Sequence, residues 1–301
     1  MTWYWYAIFS AVLISLVGLF QKKTLQNEHS LQYVTIFRTT NFLLFLLIFA
    51  PTLTIGTTST QFFFLGLTGL IGATGQLFVA RSLRALDIST VMPILALDPA
   101  LVALLAFGVL GEKLAGFNIV GIAFVLIGAF VLESHRKEGD GRWRDILHSP
   151  KLLVRPFRRM AQERGGRSII IALFAYAVSG VIDRFLLKQL NVTTYLFYVY
   201  LFGTTLFLLL LLATKQKVQL FQQGNRLFFP TIIIAAVMSL FANISQAKAT
   251  SLAAVGLVIA VKRASVLIDI ILGGRLFHEH HIAQKLLASA IILLGLYLIV
   301  I

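Results

Sequence analysis

The sequence contains no cysteine. Disulfide frameworks, thiol nucleophiles, iron–sulfur clusters and cysteine-type zinc sites are therefore excluded. Charge is scarce as well. Only 13% of the 301 residues are charged, and just 12 are acidic, whereas soluble proteins average about 25% charged. A soluble domain of this size needs more polar surface than that. Also missing are a glycine-rich phosphate loop ending in Gly-Lys-Ser/Thr and an H-E-x-x-H signature. Neither ATP-driven pumping nor zinc-protease chemistry is encoded by those motifs. No Ser/His/Asp constellation is recognisable, so the chain reads as a non-enzyme, and no cofactor or metal is expected.

What the chain has in excess is apolar surface: 58% hydrophobic residues, 25 phenylalanines and a mean hydropathy of +0.88. Apolar runs of spanning length cover 3–20, 33–50, 62–80, 88–110, 116–132, 168–187, 194–213, 227–247, 255–277 and 282–301. In a bilayer each run must satisfy its own backbone hydrogen bonds, so each is a helix. The reading is an all-α integral membrane protein with ten transmembrane helices. No basic residue precedes the first run and no small-residue cleavage site follows it, so that run is expected to be a retained span rather than a signal peptide.

The polar segment 134–167 carries ten Lys/Arg residues and divides the chain into five spans and five spans. Three units follow: a first repeat at 1–133, a basic connecting loop at 134–167 and a second repeat at 168–301. Shifting the second half by 167 positions places Ala80 on Ala247, Val91 on Val258, Glu112 on Glu279 and Gly128 on Gly295. Glu112 and Glu279 each fall in the polar turn before the last span of their half. Gly69, Gly72 and Gly75 align with Ala236, Ser239 and Ala242, small residues that let helix backbones approach in lipid. An odd number of spans per repeat forces the halves into opposite orientations, giving two inverted five-helix repeats.

The stretch Leu110-Gly111-Glu112-Lys113-Leu114 with Gly121 and Gly128, and its partial echo in Phe277-His278-Glu279 with Gly295, resembles the EamA-type members of the drug/metabolite transporter superfamily. Arg38 is similar to an arginine often found in that family's second helix, and Val261-Lys262-Arg263-Ala264-Ser265 to a Lys-Arg-small signature in the ninth. The resemblance covers nearly the whole chain except the central loop. It implies a substrate path between helices one to four and six to nine, with the fifth and tenth helices peripheral. It also implies that both termini face the cytoplasm.

Ionisable residues inside a span are costly and default to functional candidates. Five qualify: Arg38, Asp98, Lys262, Arg263 and Asp269, a set with net charge +1 that favours an anionic or zwitterionic solute. Asp98 is flanked by Pro93 and Pro99, and each proline removes a backbone donor and disturbs the preceding turn. Asp98 is thus read as a substrate or proton ligand beside a broken helix, with a permanent ion pair as the competing reading. The 167-residue shift places Asp98 on Ser265, one turn from Lys262, so Asp98 and Lys262 are expected to interact or share one cavity. Arg263 points about 100° away from Lys262 on an ideal helix. Lys262 and Asp269 share a helix face, too far apart to bond. Arg38 lies about 9 Å from its expected helix end, within snorkelling distance. Gln76 aligns with Asn243, and both join the candidates, against the reading that such residues simply glue helices. The candidate substrate-binding set is therefore Arg38, Gln76, Asp98, Asn243, Lys262 and Asp269. Asp183 with Arg184 reads as a local pair or part of a gate. His278, Glu279, His280 and His281 read as a solvated turn, because adjacent residues diverge where a metal needs convergence.

Of the 26 Lys and Arg residues, 19 lie on connections at the central-loop end, four at the end bearing the termini and three within spans. Basic residues concentrate on cytoplasmic connections. By this count the central loop is cytoplasmic and both termini are external, opposite to what the resemblance implies. The expected function is a secondary transporter or facilitator of small polar metabolites, amino-acid-like or other small solutes, with export as the direction the resemblance suggests, working by alternating access. The alternatives are a non-transporting structural or assembly protein and a flippase for a lipid-linked substrate. The partners are the lipid bilayer and a small-molecule solute, with room for a homodimer and none for nucleic acid. The expected setting is a bacterial or archaeal plasma membrane.

Overall fold

The computed structural model describes residues 3–110, 116–134, 162–187, 189–214, 228–252 and 261–300, and every regular element among them is helical. The helices are α1 (Trp3–Leu25), α2 (Ser30–Phe49), α3 (Ser59–Ala85), α4 (Ile88–Leu95), α5 (Asp98–Leu110), α6 (Gly116–Ser134), α7 (Arg164–Leu187), α8 (Val192–Ala213), α9 (Phe228–Leu252), α10 (Ser265–Leu276) and α11 (Ile282–Val300). Helices α1, α2, α3, α7, α8 and α11 are long and apolar enough to cross a membrane individually, and shorter apolar stretches lie in α4 to α5, α6 and α9. The protein is a multi-pass integral membrane protein. Its fourth pass is divided between α4 and α5, and among the described residues its ninth consists of the short helical stretch 261–263 and α10.

The packing carries the internal symmetry. Helix α1 lies against α9 and α3 against α7; the 167-residue shift exchanges these two contacts. The pairs α3–α8 and α2–α9, and α5–α7 and α1–α10, exchange in the same way. Helices α6 and α11 pack on each other, as fifth and tenth spans related by a two-fold axis should. Their crossing depends on small residues. A Cβ added at Gly121 would lie 2.6 Å from the Gly295 carbonyl, and one at Gly295 would lie 2.6 Å from the Gly121 carbonyl. Gly128 faces the Ala288 carbonyl at 2.8 Å in the same sense. Gly121 and Gly295 bring the two backbones together, with Ile299, Ile292 and Val125 closing around the crossing, the close approach that drives helix association in lipid.

One end of the bundle is tied by buried charges. Lys22 Nζ donates to the Leu83 and Leu86 carbonyls at 2.7 and 2.6 Å, closing the C-terminus of α3. Asp87 occupies the N-cap of α4 without capping it. Glu279 takes that role: its carboxylate accepts from the Ile88 and Ser89 amides at 2.8 and 3.1 Å and from the Ser89 hydroxyl. Lys285 Nζ completes the cluster, 3.1 Å from Asp87 and 2.6 Å from Ser89 Oγ. Glu279 is presented by a tight reversal after α10. Its amide returns to the Gly274 carbonyl at 2.9 Å and His278 stands at φ 53°, the left-handed position that usually favours glycine at a helix C-terminus. The 277–281 turn therefore holds a helix cap and not only solvated side chains. Glu112, its repeat partner, lies outside the described residues.

At the opposite end the 53–58 connection meets α7 and α8. Thr194 Oγ1 donates to the Thr54 carbonyl and Tyr198 to the Ile55 carbonyl, each at 2.8 Å, and Gln61 bonds Gln189 at 3.2 Å. Thr58 and Gln61 form a reciprocal capping box at the start of α3. Gly56 has nothing within 4 Å of an added Cβ, so it is the neutral place for a reporter. With cysteines placed singly at Gly56 and Ser149 in this cysteine-free chain, an impermeant maleimide on intact cells is expected to label position 56 and spare 149. Labelling at 149 with protection at 56 would reverse the orientation drawn from the charge count.

Candidate functional site

The fourth pass breaks where the prolines require. Pro93 lies inside α4, which ends at Leu95, and after the turn at 96–97 helix α5 starts at Asp98. The Ala96 amide reaches the Met92 and Pro93 carbonyls at 3.0 and 3.2 Å, a tightened last turn. Pro99 has no amide to continue a ladder. The ninth pass is irregular at the corresponding place. Leu97 shifted by 167 is Ala264, and there the amides of Ala264 and Leu267 bond three residues back, at 3.1 and 3.0 Å. No proline accounts for this second irregularity, and we have no physical reason for it in the local sequence.

The two breaks are joined by an ion pair. Arg263 Nη2 donates to Asp98 Oδ2, with side chains 26% and 19% exposed. Arg263 is thus the direct partner that the repeat argument had assigned to Lys262. The reason is local: the count of one turn from Ser265 back to Lys262 crosses the irregular step at Ala264, and Arg263 has the longer reach. Lys262 remains close enough to interact electrostatically with Asp98 and Arg263, while its ammonium donates to Gln246 Oε1 on α9.

A second set of side chains surrounds Arg38. Helix α2 starts at Ser30, earlier than the sequence suggested, so Arg38 lies about 12 Å along it at 1.5 Å per residue. The side chain does not snorkel to a membrane surface. Its Nη2 donates to the Val199 carbonyl at 3.1 Å, its guanidinium carbon stands 4.8 Å from the centre of the Tyr200 ring, and its Nε is buried without a partner. Gly203 makes room for it, since an added Cβ would sit 3.0 Å from Arg38 Nε. Asn243 Nδ2 donates to the Tyr200 hydroxyl at 2.9 Å. Gln76 Oε1 is buried without a hydrogen bond. Tyr176 is within electrostatic reach of Arg38, Asp98 and Arg263 together, which makes one polar core of the two sets.

Asp183 closes this core on α7. It accepts from Thr68 at 2.6 Å and Ser179 at 3.4 Å, and it bonds Tyr195, which also feels Arg38. The carboxylate therefore ties α7 to α3 and α8. The Arg184 side chain is outside the described set. Asp269 stands apart from the core, 3% exposed, with Oδ1 taking the Ser15 hydroxyl at 2.7 Å. Of the six candidates, then, Arg38 and Asn243 share one cluster, and Asp98 and Lys262 share the neighbouring one. Gln76 is a buried amide on α3, and Asp269 belongs to the α1–α10 contact. The sequence reading missed Tyr176, Tyr195 and Tyr200, although a hydroxyl in an apolar run always needs a partner and was signal enough.

Comparison with known proteins gives a family model, described as the EamA-like transporter family, that matches residues 1–134 and 165–301. No curated protein matches the sequence. Among solved structures, one described only as a crystal structure of a protein aligns with a TM-score of 0.65 and 13% identity, covering 99% of this chain and 96% of its own. At that identity the likeness concerns the fold alone.

Proposed function

This chain belongs to the EamA-like transporter family, within the drug/metabolite transporter superfamily, and on that footing we propose that it is a secondary transporter or facilitator of small polar solutes. The observation that carries the reading is the Asp98–Arg263 pair between two helix breaks related by the internal repeat. Irregular backbone and charge at mid-membrane are tolerated where they face protein or a watery path. Paired breaks at repeat-related positions mark the substrate site in transporters built from inverted halves. Alternating access would then tilt one half against the other about the breaks. Asp269 has no cation within ion-pair distance among the described residues, and it is the carboxyl proposed for proton coupling, with Asp98 as the second choice. Export of amino-acid-like metabolites across a bacterial or archaeal plasma membrane is the proposed physiological setting.

Proteoliposomes loaded with a small-metabolite extract test this. Vesicles containing the protein should lose a subset of polar metabolites faster than protein-free vesicles, read by mass spectrometry of the interior. Identical retention across the extract would favour the structural or assembly role. Movement of a labelled lipid-linked sugar, with the small metabolites retained, would favour the flippase.

A further inference from the structure

The sum of charges in the core does not decide what it binds. The five-residue set of the sequence reading has net charge +1, and the core keeps that value, because Asp183 joins it while Asp269 stands apart. What decides is which charges are already answered. Asp98 is answered by Arg263, Asp183 by three hydroxyls, Asp269 in part by the Ser15 hydroxyl, and Lys262 by Gln246 with Asp98 in electrostatic reach. Arg38 is not. No carboxylate lies within ion-pair distance of it among the described residues. Asp98 and Asp269 are the acidic residues well inside the spans, Asp183 lies four residues from the end of α7, and the other nine lie near span ends or on connections.

A guanidinium has five N–H donors. One is used by the Val199 carbonyl, and Nε is buried with none. The groups facing Arg38 electrostatically are the phenols of Tyr200, Tyr176 and Tyr195. The Tyr200 hydroxyl accepts from Asn243, which leaves its own hydrogen to donate. An unanswered cation at this depth costs several kcal/mol, and a ligand that brings the missing negative charge recovers that cost on binding.

We infer that the solute carries a carboxylate or phosphate group and that Arg38 holds it, with Tyr176 and Tyr200 beside it. This rests on the transport reading only for calling the ligand a solute; the site itself stands on the unanswered guanidinium. Arg38 offers two parallel donors to a planar or tetrahedral oxyanion. The Asp98–Arg263 pair, also within electrostatic reach of Tyr176, meets the remainder of the molecule.

The test is chemical modification of the purified full-length protein with phenylglyoxal, read by mass spectrometry on the peptide containing Arg38. Arg84, exposed at the bundle end, serves as the internal reference. In the folded protein Arg38 should react. Benzoate or inorganic phosphate at ten times its dissociation constant should slow that reaction about tenfold, and neutral benzamide should not, with Arg84 unchanged throughout. The two anions separate carboxylate from phosphate chemistry. Three results overturn the inference: an Arg38 inert until the protein is unfolded, equal protection by benzamide, or protection by neither anion at any concentration that leaves the protein folded. Reconstituted vesicles keep the two readings separable. Protection without any solute flux leaves the anion site standing and removes transport. Flux of a cationic solute at equal rates in wild type and Arg38→Gln leaves transport standing and removes Arg38 from the site.

Discussion

Asp98→Asn should lower the melting temperature of the detergent-purified protein and reduce solute flux in vesicles at least tenfold. The replacement leaves the Arg263 guanidinium between α5 and α10 without its carboxylate, and removing one partner of a buried pair costs about 3–5 kcal/mol. The partial exposure of both side chains places the effect near the lower bound. The double replacement Asp98→Asn with Arg263→Gln removes both charges and is expected to regain most of the stability without regaining flux. If the double variant regains both, the pair is a strut and has no part in transport. If Asp98→Asn alone transports at the wild-type rate, the site has been placed wrongly.

The second large effect is expected at the α6–α11 crossing. Gly121→Leu would drive a side chain into the Gly295 carbonyl, 2.6 Å from where its Cβ must sit, with Ile299 at 2.8 Å on the other side. Overpacking of this kind costs about 1–3 kcal/mol, occasionally more. Here backbone obstructs it, so the helices must separate and the upper value applies. Gly108→Ala is the control: nothing lies within 4 Å of its Cβ, and an alanine inside a helix should be neutral or stabilising by up to about 1 kcal/mol. Melting curves of the two variants check the contrast. Equal stability would mean that the crossing is not held by backbone contact.

The spans and their inverted relation were legible because lipid leaves the backbone only one solution, and because one 167-residue shift pairs Glu112 with Glu279 and Gly128 with Gly295 across an odd number of spans. Pro93 and Pro99 announced the break at 96–97. The equivalent irregularity at Ala264 has no proline, and missing it misassigned the partner of Asp98. A reading that projects residues around a regular helix fails where the helix is not regular. The depth of Arg38 in its helix was underestimated for a related reason. The α1–α2 connection is only four residues long, and placing the start of α2 three residues late brought the arginine falsely close to the membrane surface. Glu279 was correctly singled out by its turn, but its role as the cap of α4 depends on a helix nearly two hundred residues earlier, and no local pattern carries that.

That distance also matters while the chain is being made. Asp98 and Arg263 are 165 residues apart, and synthesis proceeds at about 5–20 residues per second. On the order of ten to thirty seconds pass between the translation of Asp98 and that of its counter-charge. Ser15 waits longer for Asp269, 254 residues away, and α4 begins its life without the glutamate that closes its first turn. Nascent helices one to five therefore spend that interval with an unneutralised carboxyl and faces shaped for helices not yet translated. They must be sheltered at the insertion machinery or held loosely in the bilayer. A chain that stops before Arg263 keeps that carboxyl without its counter-charge, which gives membrane proteases a chemical mark by which to recognise it.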